Sequence, residues 1–342
     1  MYKNAEVVHW MNNSDARAIL PAQVDIDLTN ICNQDCFYCN SAEHRARSPV
    51  QKKYQDYIVL LDKLAAWRSH TPNSYGSLNT ITYPGGGEPT LLPGYERVLE
   101  HTIDLGFLTS ITTNGTKLHK LIENVSVEKI RKMAWIGIDI DAGDQELYET
   151  IRRSLTKTSP FKKIMANATE LVKLGATVDF KVILNQYNSN RTAIDNVFKK
   201  AKEVGVRLLY FRPGIIDGQA TPLTPELLDM IVGFGQAYGV QVKINQSKTE
   251  PRIYNRCHQM FQFPVFCADG EIYLCCDNKG NPQFSLGRWD QGDFRDLWLK
   301  DQHMSIYNKI NTRLCPPCRP NGNNNRIQEI INNPSLLEVM YT

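Results

Sequence analysis

The sequence has no run of roughly 18 apolar residues, which excludes a membrane-spanning helix of ordinary length. It also has little net charge, +3 from 39 basic and 36 acidic residues. So even a balance argues against nucleic acid or a membrane surface as partner. The opening stretch, Met1-Tyr2-Lys3-Asn4-Ala5-Glu6-Val7-Val8-His9-Trp10, holds no apolar core of signal-peptide length, so a cytoplasmic location is expected. No internal repeat is visible, and the one biased tract is Asn323-Asn324-Asn325. Cysteine is absent between Cys39 and Cys257 and again after Cys318. The nine cysteines therefore fall into two groups: Cys32, Cys36 and Cys39, then Cys257, Cys267, Cys275, Cys276, Cys315 and Cys318. An odd number in a cytosolic chain speaks against a disulfide scaffold and for metal ligation or redox chemistry. The gap between the groups implies two separate metal sites.

At 342 residues the chain can bury a large core. Val24-Asp25-Ile26-Asp27-Leu28 alternates with period two and reads as a strand. Further strands are expected at 78–83, 108–112, 135–140, 178–184 and 206–211. Helices are expected at 51–67, 94–105, 115–124, 144–153, 161–174, 189–204 and 224–238, and residues 40–50 read as loop. Such alternation implies a parallel sheet. Six units are too few for an eight-fold barrel and suit an open one. The expected fold is thus α/β, a partial (β/α)6 TIM-like barrel over 23–240. A lead-in at 1–22, a hairpin-plus-helix module at 241–320 and a tail at 321–342 complete the chain.

In barrels of this kind chemistry sits at the C-terminal ends of the strands. There stand the cysteine loop Cys32-x3-Cys36-x2-Cys39, the segment Gly85-Gly86-Gly87-Glu88-Pro89, then Asn114, Asp139 with Asp141, Asn185 and Arg212. Three thiolates on one loop supply three of the four ligands of a [4Fe–4S] cube and leave one iron open. The same spacing also fits a partial zinc knuckle or buried thiols.

With both motifs placed, the chain resembles the radical S-adenosylmethionine superfamily. Cys32, Cys36, Tyr38 and Cys39 match its cluster loop, and Gly85 to Pro89 match its glycine-rich motif. The resemblance implies a [4Fe–4S] cluster on the three cysteines, S-adenosylmethionine on the open iron, and a 5′-deoxyadenosyl radical released by one electron. It implies that Gly86, Gly87 and Glu88 contact the ammonium region of S-adenosylmethionine, glycine allowing close backbone approach. Asp139 and Asp141 match ribose-binding positions, although the family more often has serine at the first. Asn114 and Asn185 either contact the ligand or cap the next helix. Arg212 pairs with the ligand carboxylate, a substrate acid or a structural carboxylate. Tyr38 either faces the ligand or packs in the core.

The second group reads Cys257-x17-Cys275-x39-Cys315-Pro316-Pro317-Cys318, with a hairpin turn at Asp269-Gly270 and a short helix at 294–309. This resembles the twitch form of the SPASM module, which implies one auxiliary [4Fe–4S] cluster on Cys257, Cys275, Cys315 and Cys318. A four-cysteine zinc site has the same ligand grammar. Cys267 and Cys276 are then left over, as packed thiols or as hydrogen-atom donors to a substrate radical. The family resemblance implies hydrogen abstraction from an unactivated C–H, ending in epimerisation or oxidation, and the short chain without an obvious peptide-recognition domain argues for a small polar substrate such as a sugar or aminocyclitol. A flavodoxin or ferredoxin is the expected electron donor. Two other readings are a maturase of a ribosomally made peptide and a non-catalytic iron–sulfur electron carrier.

Overall fold

The structure, a computed structural model, describes residues 2–12, 18–71 and 73–336. The apolar tail residues Leu337, Val339 and Met340 lie outside the described residues.

The six expected strands form, as β1 (Gln23–Ile26), β2 (Thr80–Tyr83), β3 (Leu108–Thr113), β4 (Trp135–Asp139), β5 (Val178–Leu184) and β6 (Leu208–Pro213). All six pair in parallel, in chain order. Helices α1 (Tyr2–Asn12), α2 (Ala42–Arg47), α3 (Tyr54–His70), α4 (Tyr95–Asp104), α5 (His119–Asn124) and α6 (Val127–Lys132) come first. They are followed by α7 (Gln145–Arg152), α8 (Phe161–Lys173), α9 (Arg191–Val204) and α10 (Pro225–Tyr238). Three of these depart from expectation: α1 lies in the supposed lead-in, α2 occupies the supposed loop, and α6 follows Val125, capped by Ser126, whose hydroxyl accepts from the Lys129 N–H. No helix among the described residues is long and apolar enough to cross a membrane.

The strands alternate in a way that decides where the site lies. One set of residues, Val24, Ile26, Ile81, Tyr83, Ile111, Ile136, Ile138, Phe180, Val182, Leu209 and Phe211, is buried in the core. The intervening set, Asp25, Thr82, Thr112, Asp139, Lys181 and Arg212, faces a pair of connected cavities. Side chains from every strand β1 to β6 line these cavities, so the polar face of the sheet is the concave one.

After a small hairpin of β7 (Ile215–Ile216) and β8 (Gln219–Ala220), β9 (Gln241–Ile244) adds in parallel beside β6. On the other edge β10 (Val265–Phe266) pairs in parallel with β1, and β11 (Glu271–Tyr273) and β12 (Ser285–Arg288) continue antiparallel. The segments after residue 240 thus extend the six-stranded sheet to ten strands. The cause is hydrogen bonding: β9 and β10 satisfy both open edges of the six-stranded sheet. The Asp269-Gly270 turn forms with Gly270 at φ +93°, and the following helix, α11 (Asp301–Lys309), is shorter than expected. The last described helix, α12 (Asn321–Asn332), packs Ile327 and Ile330 against Val8 of α1, so the first and last described helices meet.

Candidate active site

The cysteine loop is fastened by backbone on both sides. The Asn30 N–H donates to Val50 O at 3.0 Å and its amide to Ser48 O at 2.9 Å. The glycine segment closes on the loop: Gly87 N–H donates to Thr29 O at 2.6 Å and Glu88 N–H to Ile31 O at 2.8 Å. A Cβ on Gly87 would stand 2.0 Å from Ile31 O, so no other residue fits this approach. Gly86 sits at φ +97° with the Asp27 carboxyl beneath it. Glu88 is buried and accepts four hydrogen bonds, from the Thr90 N–H and hydroxyl, the Thr113 hydroxyl and the Asn114 N–H. It thereby ties the end of β2 to the end of β3. Asn114 in turn donates to Asn33 Oδ1 at 2.8 Å, and its own oxygen accepts from Thr116.

Cys32, Cys36 and Cys39 stand on the wall of one cavity of about 180 Å³, together with Tyr38, Gly85, Gly86, Gly87 and Glu88. Burial, with the Glu88 carboxylate, pushes the Cys32 thiol up to about 11, and burial also raises Cys36 against the pull of Arg152. The Arg152 guanidinium reaches Cys36 Sγ at 3.6 Å. Among the described residues no three Cys, His, Asp or Glu side chains close around a point as one metal ion needs. A cubane sets its ligands on separate corners, farther apart than those of one zinc ion. Three half-buried sulfurs beside two guanidinium groups, Arg45 and Arg152, suit such an anionic, sulfur-ligated cluster.

The other expected residues divide. Asp139 and Arg212 line the cavity, and so does Asn114. Asp141 does not: its Oδ1 accepts from Ile183 N–H at 2.6 Å, and its Oδ2 takes the Tyr38 hydroxyl and Arg152 Nε. Asp141, matched above to a ribose-binding position, is fully buried, in the left-handed region at φ +56°. Asn185 is likewise wholly buried and caps its own turn, accepting from Tyr187 N–H at 2.9 Å, and is not on the cavity wall. Residues that the sequence reading did not single out also face the cavity: Gln34, Arg152, Lys248, Asp277, Lys279 and Arg319. The five charged ones look like ordinary surface charge in the sequence, and only the fold turns them inward.

A second cavity of about 610 Å³ shares Pro84, Thr112, Arg212, Cys276 and Arg319 with the first. Cys257 and Cys275 line it. Cys257 feels the charges of Cys315 and Cys318, and Cys275 that of Cys257, so these four cysteines are neighbours. Burial pushes Cys257 up to about 12. Three of the four sulfurs face hydrogen-bond donors: Asn324 Nδ2 to Cys257 at 3.4 Å, Asn278 Nδ2 to Cys275 at 3.2 Å, and Arg252 Nη2 to Cys318 at 3.8 Å. Donors of this kind stabilise ligating thiolates and tune an iron–sulfur centre. Cys276 lines both cavities, beside Arg319. Cys267 is wholly buried, its thiol 3.6 Å from Asp27 Oδ2, and is on neither wall.

Comparison with known proteins adds three findings. The family model described as "Radical SAM superfamily" matches residues 26–217. A probable GTP 3',8-cyclase of Sulfurisphaera tokodaii is 24% identical over 74% of this chain and 78% of its own length. An S-adenosylmethionine-dependent nucleotide dehydratase of Flammeovirga pacifica is 28% identical, over only 42% of this chain and 46% of its own. In fold, the chain is similar to Streptococcus suis SuiB. The structure with S-adenosylmethionine bound aligns at TM-score 0.63 and 16% identity, over 84% of this chain and 68% of that one. The structure with the precursor peptide SuiA aligns at 0.64 and 14%, over 85% and 66%.

Proposed function

The chain belongs to the radical SAM superfamily, and from that premise we propose that it cleaves S-adenosylmethionine reductively and abstracts a hydrogen atom from a small polar molecule. The observation that carries this reading is the meeting of Cys32, Cys36 and Cys39 with Gly85-Gly86-Gly87 on the wall of one polar cavity. Cys32, Cys36 and Cys39 would hold a [4Fe–4S] cluster with one iron open to S-adenosylmethionine. The chemistry supplied there is one-electron cleavage of S-adenosylmethionine to a 5′-deoxyadenosyl radical. Arg45 and Arg152 offset the charge of three thiolates. Gly86 and Gly87 open backbone to the methionine moiety. Asp139, the member of the strand-four acidic pair that reaches the cavity, is the ribose acceptor.

The fold is read as a partial (β/α)6 barrel whose C-terminal segment carries one auxiliary [4Fe–4S] cluster on Cys257, Cys275, Cys315 and Cys318. The grouping of these cysteines and the donors on their sulfurs support this. Cys276, on the wall of both cavities, is the hydrogen donor of an epimerisation, and Cys267 is too deeply buried for that role. Oxidation is the outcome if Cys276 is idle. The relatives named for GTP and for nucleotides support a small molecule over a peptide. A flavodoxin or ferredoxin is the proposed electron donor.

The test is product analysis of anaerobically reconstituted, dithionite-reduced protein with S-adenosylmethionine. We expect 5′-deoxyadenosine from the wild type and none from Cys36→Ala. An intact cluster without 5′-deoxyadenosine would leave the electron-carrier reading standing instead.

A further inference from the structure

Most cations on the cavity walls are already matched by a carboxylate. Lys279 meets Asp27 at 2.6 Å, Arg319 meets Asp25 at 2.7 Å and Arg152 meets Asp141 at 2.9 Å. Lys181 stands 3.8 Å from Asp139, and Arg207 2.6 Å from Asp179. Four differ: Arg45, whose charge acts on the Cys32 thiol, Lys243, which lies over the Tyr210 ring, and the pair Arg212 and Lys248. Arg212 and Lys248 both line the cavity of the cysteine loop, and among the described residues neither has a carboxylate within ion-pair distance. Arg212 Nε is buried and meets no acceptor.

The two cations are neighbours. The Arg212 charge is one of those that hold the Lys248 ammonium below its usual value, after burial itself. Asp277 lies near enough to offset Lys248 in part. Its carboxylate is already engaged, by the Arg319 N–H at 2.8 Å and the Asn40 amide at 3.2 Å. Two half-buried like charges without a counter-ion are costly in a folded chain. Such an arrangement persists where a ligand brings the missing charge. The charges that act on Cys32 and Cys36 are those of Glu88, Arg45, Arg152 and Asp141, whereas Lys248 acts in company with Cys276, Asp277 and Arg319.

We infer that Arg212 and Lys248 form a phosphate subsite, and that the substrate is a phosphorylated small molecule anchored there beside Cys276. The inference rests on the reading of this cavity as the active site. The charge count favours phosphate over carboxylate. A phosphate monoester carries roughly −1.5 to −2 near neutral pH, which two cations match, while one carboxylate would leave a cation uncompensated. The guanidinium fork fits two phosphate oxygens, and the ammonium adds a point charge. The competing source of an anion is the carboxylate of S-adenosylmethionine itself.

The experiment titrates inorganic pyrophosphate into reconstituted protein saturated with S-adenosylmethionine, by calorimetry, for wild type, Arg212→Gln and Lys248→Met. S-adenosylmethionine affinity is measured in parallel. The expected result is pyrophosphate binding to the wild type that weakens at least tenfold in each variant, a loss much larger than that for S-adenosylmethionine. No pyrophosphate binding, or equal binding by all three proteins, overturns the inference. So does a loss that falls on S-adenosylmethionine instead, which would assign the pair to the methionine carboxylate. Lys248→Met lies outside the sheet and carries the comparison should Arg212→Gln fail to fold. Failure of the underlying reading shows separately, as absence of 5′-deoxyadenosine from the reduced wild type.

Discussion

Glu88 accepts four hydrogen bonds between 2.5 and 3.1 Å from residues on two segments. Burial raises its carboxyl, and the donors on its oxygens pull the other way. It therefore holds the glycine segment in place whether or not it touches a ligand. Glu88→Gln keeps the shape but turns one acceptor oxygen into a donor amide facing N–H and O–H groups. A conflict of that kind in a buried network costs about 3 kcal/mol. The expected outcome is a lower melting temperature of the apo protein together with weaker S-adenosylmethionine binding, read by thermal unfolding and equilibrium binding. An unchanged melting temperature would show that the four bonds contribute nothing. Gly87 is as constrained for a different reason, the 2.0 Å gap to Ile31 O. Gly87→Ala should separate the glycine segment from the cysteine loop, and reconstitution should then fall short of the wild type by about the four irons of one cube. Normal iron uptake would contradict the fastening described for this loop.

At the scale of elements, α11 shows how burial sets a pH response. His303 on this helix is wholly buried, stacked on Phe261 at 5.1 Å and edge-on to Trp298 at 4.6 Å. Its Nδ1 accepts from Leu299 N–H at 3.2 Å, and burial pushes its pKa down to about 4. A depressed histidine stays neutral in the folded chain while the unfolded chain takes up a proton. Its contribution to stability is thus complete above about pH 6.5 and fades as pH falls toward 4, by at most about 3 kcal/mol. His303→Asn keeps an acceptor for Leu299 and removes the titration. Between pH 6.5 and 4 its denaturation midpoint should fall less steeply than that of the wild type; parallel curves would exclude His303 as a source of acid sensitivity. The same scale explains which elements were legible. Strands β1 to β6 announce themselves by alternation, since each must seat apolar residues under helices and polar ones toward the cavity. Gln241–Ile244 carries the same alternation but is only half buried, and its place is decided by the open edge of β6. The α6 helix is six residues long, too short for a periodic signal.

For the whole molecule, Cys32, Cys36 and Cys39 and, more than 200 residues later in sequence, Cys257, Cys275 and Cys276 border cavities that share one wall. Iron and zinc analysis of the reconstituted protein should give about eight irons per chain for two cubes. About four irons with one zinc would assign Cys257, Cys275, Cys315 and Cys318 to zinc instead. The sequence alone determined the parallel α/β order, the cysteine loop and the glycine segment. These are local properties: strand alternation, ligand spacing on one loop, and a backbone approach that only glycine permits. Tertiary structure alone decided which charged residues face the cavity. Asp139 and Asp141 are two positions apart, yet one lines the cavity and the other is sealed against Tyr38 and Arg152. Lys248 and Arg319 lie outside every strand and look like solvated charge in sequence. Their role follows from closure of β10 against β1 and β9 against β6, which brings the C-terminal third over the polar face of the sheet. A side chain's surroundings depend on contacts distant along the chain, and no local pattern encodes them.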